Sequence, residues 1–408
     1  MRRRPCPCTR SLTPSKQRLF VRVLHVTPYF APAYRYGGPP RSILGLCRAL
    51  GDAGVDVEVF TTTANGDQPL APAPEGTVHE GVRVRYFPLA WPQRYWRARG
   101  LRAALKRAAA GADLIHVHGL WNMTSWAGVA SARAAGKPCV ISPRGMLQPE
   151  ARQRHREMKS LAYWGIERAN LRDAALLHAT SALEGRELTQ YGPPVILIPN
   201  GVTIRPAPAD AVERMRARAG LDAGDEVVTF LGRLHPIKRL DLLAEAFAVV
   251  RHARPNARLV IAGPDEGGYR QHVEAMFAPV SSATRWLGAV DSEAGAALLA
   301  STDVLVQCSD SESFGMSVAE ALAAGVPVVV TKRSGWAEVD AIGCGFSVAH
   351  EPVAIADGIL RVLDHEDRAA LRARAGAWAR KTFAWDVIGT SMRDAYAQAI
   401  ARAAKRVA

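Results

Sequence analysis

The 408 residues carry 52 Lys and Arg against 38 Asp and Glu, a formal net charge of +14 at pH 7, and 48% of them are hydrophobic. That length is too great for one ordinary core, so two domains of roughly 200 residues are expected, and the composition excludes a disordered or fibrous chain. No stretch approaches the roughly 18–20 uninterrupted apolar residues that span a bilayer. The basic excess favours anionic partners, but no zinc finger, RRM signature or basic heptad array accompanies it, so nucleic acid ranks below a phosphorylated ligand or an anionic membrane surface.

In chain order, residues 1–20 (MRRRPCPCTRSLTPSKQRLF) are basic with no apolar run behind them. They read as a disordered extension and not as a secretory leader, which makes the cytoplasm the expected compartment. The six cysteines (Cys6, Cys8, Cys47, Cys139, Cys308, Cys344) are scattered and suit reduced thiols, mostly buried. From Val21 the chain alternates strand-like and helix-like segments: VRVLHVTPYF, then the helix RSILGLCRALGDAG, then VDVEVFTTT. ADLIHVHG, the helix through WAGVASARAAG, and KPCVISPRG continue the pattern. A helical stretch dense in Arg, Lys and His occupies about residues 150–172, and AALLHATS and VILIPNGV read as strands. After a Pro/Ala/Asp-rich segment near residues 200–222 the alternation restarts at DEVVTFLGRLHPIKRLD and runs through ATRWLGAV, TDVLVQCSD and VPVVVTKRSG. This is the pattern of βαβ units in parallel sheets. Two doubly wound α/β domains, over residues 21–205 and 206–385, would place a ligand between them, at the carboxyl ends of both sheets.

Three strand-end loops could hold a diphosphate. Gly37 and Gly38 precede a helix, where backbone N–H groups can approach phosphate, although a Gly-Gly turn is often structural and no GxGxxG nicotinamide fingerprint is present. Arg233 and Lys238 share the loop FLGRLHPIKRLD, with Pro236 stiffening it. A guanidinium and an ammonium together suit several anionic oxygens, the bland alternative being a solvated basic loop. In SDSESFGMSVAE, Gly315, Met316 and Ser317 offer free N–H groups at a helix start, while Glu312 and Glu320 stand eight positions apart. If all eight were helical the carboxylates would be about 12 Å apart, beyond the roughly 5–9.5 Å of a glycoside-hydrolase pair. The spacing favours carboxylates that hold distant parts of one ligand, although an exposed first-turn acid also explains Glu320.

His116 and His118 share one face of a strand, with His118 at its carboxyl end, and no nearby acid or cysteine completes a metal set; core histidines with satisfied hydrogen bonds are the bland alternative, more so for His116. No metal ligand is therefore assigned. Arg144 closes the next strand. Arg152, Arg154, Arg156, Lys159 and Arg168 crowd one helical region beside Tyr163 and Trp164, which suits either docking on anionic lipid or an ordinary solvated helix.

Taken together, ESFGMSVAE (an E-x7-E element), the GRL…K loop, the early GG and PNGV occur in the order and spacing of the retaining glycosyltransferases of the GT-B fold. The chain resembles family 4 (group 1 type) of these enzymes over essentially residues 21–400. HGLW and SPRGML resemble the subset that builds exopolysaccharide, capsule or O-antigen. The resemblance implies that Glu320 binds the ribose hydroxyls and Glu312 lies at the donor-sugar hydroxyls. It implies that Arg233 and Lys238 neutralise the diphosphate in place of a metal, so that no cofactor is needed. Gly37 and Gly38 would close on the phosphates, with Gly315, Met316 and Ser317 as backbone donors. His118 would contact the transferred sugar and Arg144 an acceptor or phosphate. The donor would be a nucleoside diphosphate sugar, UDP ahead of GDP, and the acceptor lipid-linked or a saccharide, with the protein peripheral on the inner membrane face. Residues 386–408 would form a helix crossing back onto the first domain, with Phe383, Trp385 and Tyr396 packing. One position departs from the pattern: Arg239 stands where glycine usually follows the lysine. A sugar-nucleotide epimerase and a non-catalytic nucleotide-sugar-binding protein are the rival readings.

Overall fold

The computed structural model describes residues 21–71, 77–149, 156–203, 206–265 and 267–407. The basic extension, with Cys6 and Cys8, lies outside them. The remaining four cysteines are buried and unpaired.

The first domain is an eight-stranded sheet of β1 (Arg22–Val26), β2 (Asp56–Thr62), β3 (Val78–His79), β4 (Val82–Phe87), β5 (Leu114–His118), β6 (Cys139–Ser142), β7 (Leu176–Ala179) and β8 (Val195–Leu197). Their order is β3-β4-β2-β1-β5-β6-β7-β8, parallel except for the β3–β4 pair. The second holds β9 (Glu226–Leu231), β10 (Ala257–Ala262), β11 (Thr284–Gly288), β12 (Val304–Gln307), β13 (Val328–Thr331) and β14 (Gly345–Val348), in the all-parallel order β11-β10-β9-β12-β13-β14. The central strands are fully buried and mostly Val, Leu and Ile, as a sheet covered by helices on both faces demands, with His116 and His118 in β5 among the exceptions. These are the two doubly wound domains of the GT-B architecture. The order reverses at β1 in one sheet and at β9 in the other, and at such switch points the loops leaving the strands diverge and open a crevice. Those loops carry Gly37–Gly38 and Arg233–Lys238.

Three strands were absent from the sequence reading: β4, and the short edge strands β3 and β14. The first helix also starts earlier than expected, at Gly38 and not Arg41. Pro39 and Pro40 fit its first turn, where a missing N–H costs nothing.

The chain passes between domains twice, side by side: Val202 and Ala384 form an isolated parallel bridge, and Val202 N–H donates to the Phe383 carbonyl. The C-terminal helix Trp385–Val407 then lies on the first domain, where Ile388, Met392, Ala395, Tyr396 and Ala399 join its core. Trp385 wedges into that joint. A Cβ on Gly45 or on Gly201 would stand 2.2 or 2.3 Å from the indole, so both positions must lack a side chain. Phe383 packs instead in the second domain's core, against Phe314 and Trp336.

Candidate active site

On the second-domain wall, β9 delivers Arg233 and then the turn Pro236–Lys238, which His235 caps by accepting from Ile237 N–H at 3.2 Å. Residue 239 follows at φ 53°, ψ 50°, the left-handed conformation that glycine takes freely. Arg239 adopts it while its guanidinium forks onto Asp241 (2.7 and 3.0 Å) and reaches Asp310 at 3.2 Å. The departure from glycine is thus accommodated by a local ion-pair cluster, which also raises the Arg239 pKa, the Asp241 hydrogen bond foremost.

Glu312 lies in the loop after β12, outside the helix, which runs only from Met316 to Ala323. The single-helix separation of about 12 Å therefore does not apply. Gly315 breaks the path: its φ is 85°, and a Cβ there would sit 2.8 Å from Trp336 Nε1. Three donors converge on Glu312 Oε1: Lys238 Nζ, Gln307 Nε2, and Ser309 Oγ at 2.7 Å. Ser317 Oγ donates to Gln307 Oε1 at 3.2 Å, which ties the helix start into the same network. Glu320, in the second turn, has its pKa raised to about 7 by burial, with Arg41 of the opposite domain opposing the rise.

On the first-domain wall, Gly37 caps the helix Gly38–Asp52. A Cβ at Gly37 would meet Arg233 Nε at 3.4 Å, and one at Gly38 would meet Met316 Cγ at 3.4 Å. The glycine pair, Arg233 and the Glu320 helix therefore meet across one cleft. Tyr29, stacked on Tyr36 at 4.3 Å, faces the same space. Burial raises its pKa while Arg144 and Arg233 pull it down.

Arg144 sits at φ 54°, a left-handed value that a long side chain adopts only when its surroundings impose it. The next N–H, of Gly145, is captured by Glu184 Oε1 at 2.6 Å. The guanidinium gives Nε to His118 Nδ1 (3.3 Å) and Nη1 to Ser42 Oγ (3.2 Å) and Asn200 Oδ1 (3.1 Å). Its Nη2 is buried with no partner among the described residues. Asn200 belongs to PNGV, so two motifs distant in sequence share one side chain. HGLW and SPRGML also touch, through Trp121 Nε1 to the Met146 carbonyl at 3.2 Å.

His118 is buried, and both its ring nitrogens are engaged inside the protein: Nδ1 by Arg144, Nε2 by His25 Nδ1 at 3.0 Å. Its side chain is thus placed behind Arg144, where no polar atom of the ring is spare for a sugar. The histidine pair is also not alone. β1 brings in His25, and the ring nitrogens of His25, His116 and His118 lie within 4.8 Å of one another. Sequence spacing could not show this, because His25 is 91 residues from His116.

A clasp crosses the cleft at its floor. Gln148 accepts from Ser311 Oγ at 2.7 Å and donates to the Glu312 carbonyl at 2.8 Å, while Thr180 Oγ1 donates to the Ser313 carbonyl at 3.2 Å. Gln148, Thr180, Tyr29 and His25 were not anticipated, as their relation to the motifs is spatial; Gln307 and Ser309 were also missed, although they stand five and three residues before Glu312. The crowded basic helix is covered only from Arg156; Arg152 and Arg154 lie outside the described residues. Over Arg156–Arg172 it is helical with a π turn at Tyr163–Glu167, exposing Leu161 and Trp164, with Arg168 over the Trp164 ring at 4.9 Å. No helix among the described residues is long and apolar enough to cross a membrane.

Two family profiles match the chain: Glycosyl transferases group 1 over residues 211–382 and Glycosyl transferase 4-like domain over residues 37–201. A D-inositol 3-phosphate glycosyltransferase of Streptomyces avermitilis is 30% identical over 443 aligned positions, covering 100% of this chain and 93% of that protein. Among solved structures, a sucrose-phosphate synthase from Thermosynechococcus elongatus aligns with a TM-score of 0.73 and 20% identity over 94% of this chain and 100% of its own. HepE of Anabaena in complex with UDP-glucose aligns with a TM-score of 0.69 and 21% identity over 92% and 99%.

Proposed function

Because the chain belongs to the group 1 glycosyl transferases and so transfers sugar from a nucleotide sugar, we propose that it carries a hexose from a UDP-sugar to an acceptor bearing a phosphate, with retention of anomeric configuration. The observation that carries this reading is the convergence of Arg233, Lys238, Glu312 and the Gly37–Gly38 helix start on one cleft. A nucleoside diphosphate presents its anionic oxygens to the two cations and the helix N–H groups, its ribose to Glu320, and its sugar hydroxyls to Glu312. The three donors on Glu312 fix its orientation before substrate arrives, which reduces the reorganisation needed at the reacting carbon.

In the transfer step the bond between the sugar's anomeric carbon and the diphosphate oxygen breaks, its electron pair leaving with the diphosphate. The acceptor oxygen bonds to the same face, and its proton passes to the departing diphosphate oxygen. Arg233 and Lys238 stabilise the charge that develops there. Glu312 is enclosed by donors, a setting for holding hydroxyls more than for attacking carbon, which supports the same-face course over a glycosyl-enzyme intermediate.

The acceptor's phosphate is inferred from the buried, spare Nη2 of Arg144 and from the phosphorylated acceptor in the name of the Streptomyces relative. A lipid-diphosphate-linked saccharide of surface-polysaccharide synthesis offers the same group. Exposed Leu161 and Trp164 beside Arg168 suit docking on an anionic cytoplasmic membrane face, where such a lipid would be presented. The test supplies UDP-glucose with EDTA and, in separate reactions, a soluble inositol phosphate and a lipid-diphosphate saccharide in anionic vesicles. Product with the donor's own anomeric configuration supports the reading, and the productive arm identifies the acceptor. Inverted product, or conversion of donor without acceptor, overturns it.

A further inference from the structure

Seven hydrogen bonds run unbroken through the first domain's core, linking eight polar groups from Arg144 to the Ile198 carbonyl. Arg144 Nε meets His118 Nδ1 (3.3 Å), His118 Nε2 meets His25 Nδ1 (3.0 Å), and His25 Nε2 meets Tyr396 Oη (3.3 Å). Tyr396 Oη meets His116 Nδ1 (2.6 Å), His116 Nε2 meets Ser142 Oγ (2.6 Å), Ser142 Oγ meets His178 Nδ1 (2.7 Å), and His178 Nε2 meets the Ile198 carbonyl (2.8 Å). The members come from β1, β5, β6, β7 and the C-terminal helix, and all four histidines and Tyr396 are buried.

The two ends fix every proton between them. Arginine can only donate and a backbone carbonyl can only accept. His118 Nδ1 must therefore be bare and its Nε2 protonated; His25 must then accept at Nδ1 and donate at Nε2, and the same holds for His116 and His178. From either end the assignment reaches Tyr396 without conflict: its oxygen accepts from His25 and its hydrogen goes to His116. Each of the four rings is the neutral Nε2–H tautomer. Burial pushes all four histidine pKa values down, those of His25 and His178 to about 3, which agrees with neutrality. The same assignment removes a tempting alternative, a divalent cation among His25, His116 and His118. Each of those rings has one lone pair, and each lone pair already accepts a hydrogen bond.

Arg144 has three neutral acceptors, His118 from this relay and Ser42 and Asn200 beside it, and no carboxylate bonds to it among the described residues. Glu184 acts on its charge only through space, bonded instead to Gly145 N–H, and Nη2 is left over. We propose that Tyr396 and His25 are positioning residues of the transfer reaction, which act through His118 to hold Arg144 with one face reserved for an anionic oxygen of substrate. The C-terminal helix is in this way part of the site it never touches. This inference rests on the reading of the cleft as one that binds phosphorylated substrate. Loss of the Tyr396 hydroxyl strands a donor on His25 and an acceptor on His116 in a dry core, where neither can find water. His25 is then free to turn away, and His118 and Arg144 lose their support.

The test labels histidine with 15N in the full chain, assigns the four rings, and follows them during titration of inorganic phosphate into the UDP-saturated protein. All four rings are expected as neutral Nε2–H tautomers at pH 7, with the His118 Nδ1 signal moving as phosphate binds. In Tyr396→Phe, phosphate affinity falls by about tenfold with the Kd for UDP unchanged, a split that general loss of fold would not produce. An Nδ1–H tautomer or an imidazolium at His25 or His118, or unchanged phosphate affinity in folded Tyr396→Phe, overturns the proposal. If Tyr396→Phe does not fold, the wild-type tautomers decide it. If UDP does not bind, the transferase reading fails, while the tautomers still test the relay.

Discussion

The two walls of the cleft hold charge with opposite materials. The second-domain wall uses ions: Lys238 on Glu312, and Arg239 on Asp241 and Asp310, carried by the loops after β9 and β12 and by the first turn of the helix Leu240–Ala253. The first-domain wall uses neutral groups: four histidines and a serine of the sheet and a tyrosine of the C-terminal helix, all buried, support a single arginine. Ion pairs at a water-filled cleft can exchange partners when a diphosphate enters. A directional chain of neutral hydrogen bonds in a core cannot exchange anything without leaving groups unpaired. The ionic wall is thus suited to a ligand that arrives and leaves at each turnover, the neutral wall to a fixed template.

Four changes break or sharpen this contrast. The largest effect is expected from Glu312→Gln, which removes the carboxylate gripped by Lys238, Gln307 and Ser309. Transfer is expected to slow by about 10²–10³-fold in steady-state assays, with the unfolding midpoint little changed. A mild rate effect would move Glu312 out of the site. Next, Trp385→Ala empties the joint between Gly45 and Gly201 and is expected to cost about 3 kcal/mol in urea unfolding. A loss well under about 1 kcal/mol would mean that the crossing helix is held elsewhere.

A smaller effect concerns pH. Burial raises the Glu320 pKa to about 7, with Arg41 facing it. Ribose hydroxyls donate to the carboxylate and favour its charged form, so nucleotide binding should release a proton near pH 7. Affinity should accordingly weaken as pH falls through 7, by about tenfold for each unit below it, or about 1.4 kcal/mol. Calorimetry in buffers of different ionisation enthalpy reads the proton directly; uptake in place of release would remove Glu320 from the ribose. The smallest effect is expected from Arg239→Gly. Relief of the left-handed backbone offsets loss of the Asp241 and Asp310 contacts, so stability should change by less than about 1 kcal/mol. UDP affinity should stay within about threefold, under 1 kcal/mol. A tenfold loss would show that Arg239 reaches the phosphates.

On the ionic wall Arg233, Lys238, Glu312 and Glu320 were legible in the sequence because they lie in two short runs, 233–238 and 312–320, where spacing along the chain stands in for spacing in the fold; Asp241 and Asp310, which hold Arg239, were not. The alternation of strands and helices gave the two sheets for the same reason. The neutral wall was not legible. His25, His116, His178 and Tyr396 come from four separate elements, and only the strand order β2-β1-β5-β6-β7 with the returning helix brings them together. His118 read as a sugar contact from its motif, yet it lies behind Arg144 with both nitrogens engaged. β14 escaped notice because four residues of mixed burial at a sheet edge carry little pattern. β4 had a legible signal: its buried and exposed positions alternate along VRVRYF, with period two.

The central claim is that this cleft holds a nucleoside diphosphate through Arg233 and Lys238. Calorimetric titration of the full chain with UDP, GDP and ADP in the presence of EDTA, beside an Arg233→Ala/Lys238→Ala variant, tests it most directly. Binding of UDP ahead of GDP and ADP that disappears in the variant is the predicted result. Failure of all three to bind, or equal binding by the variant, would contradict it.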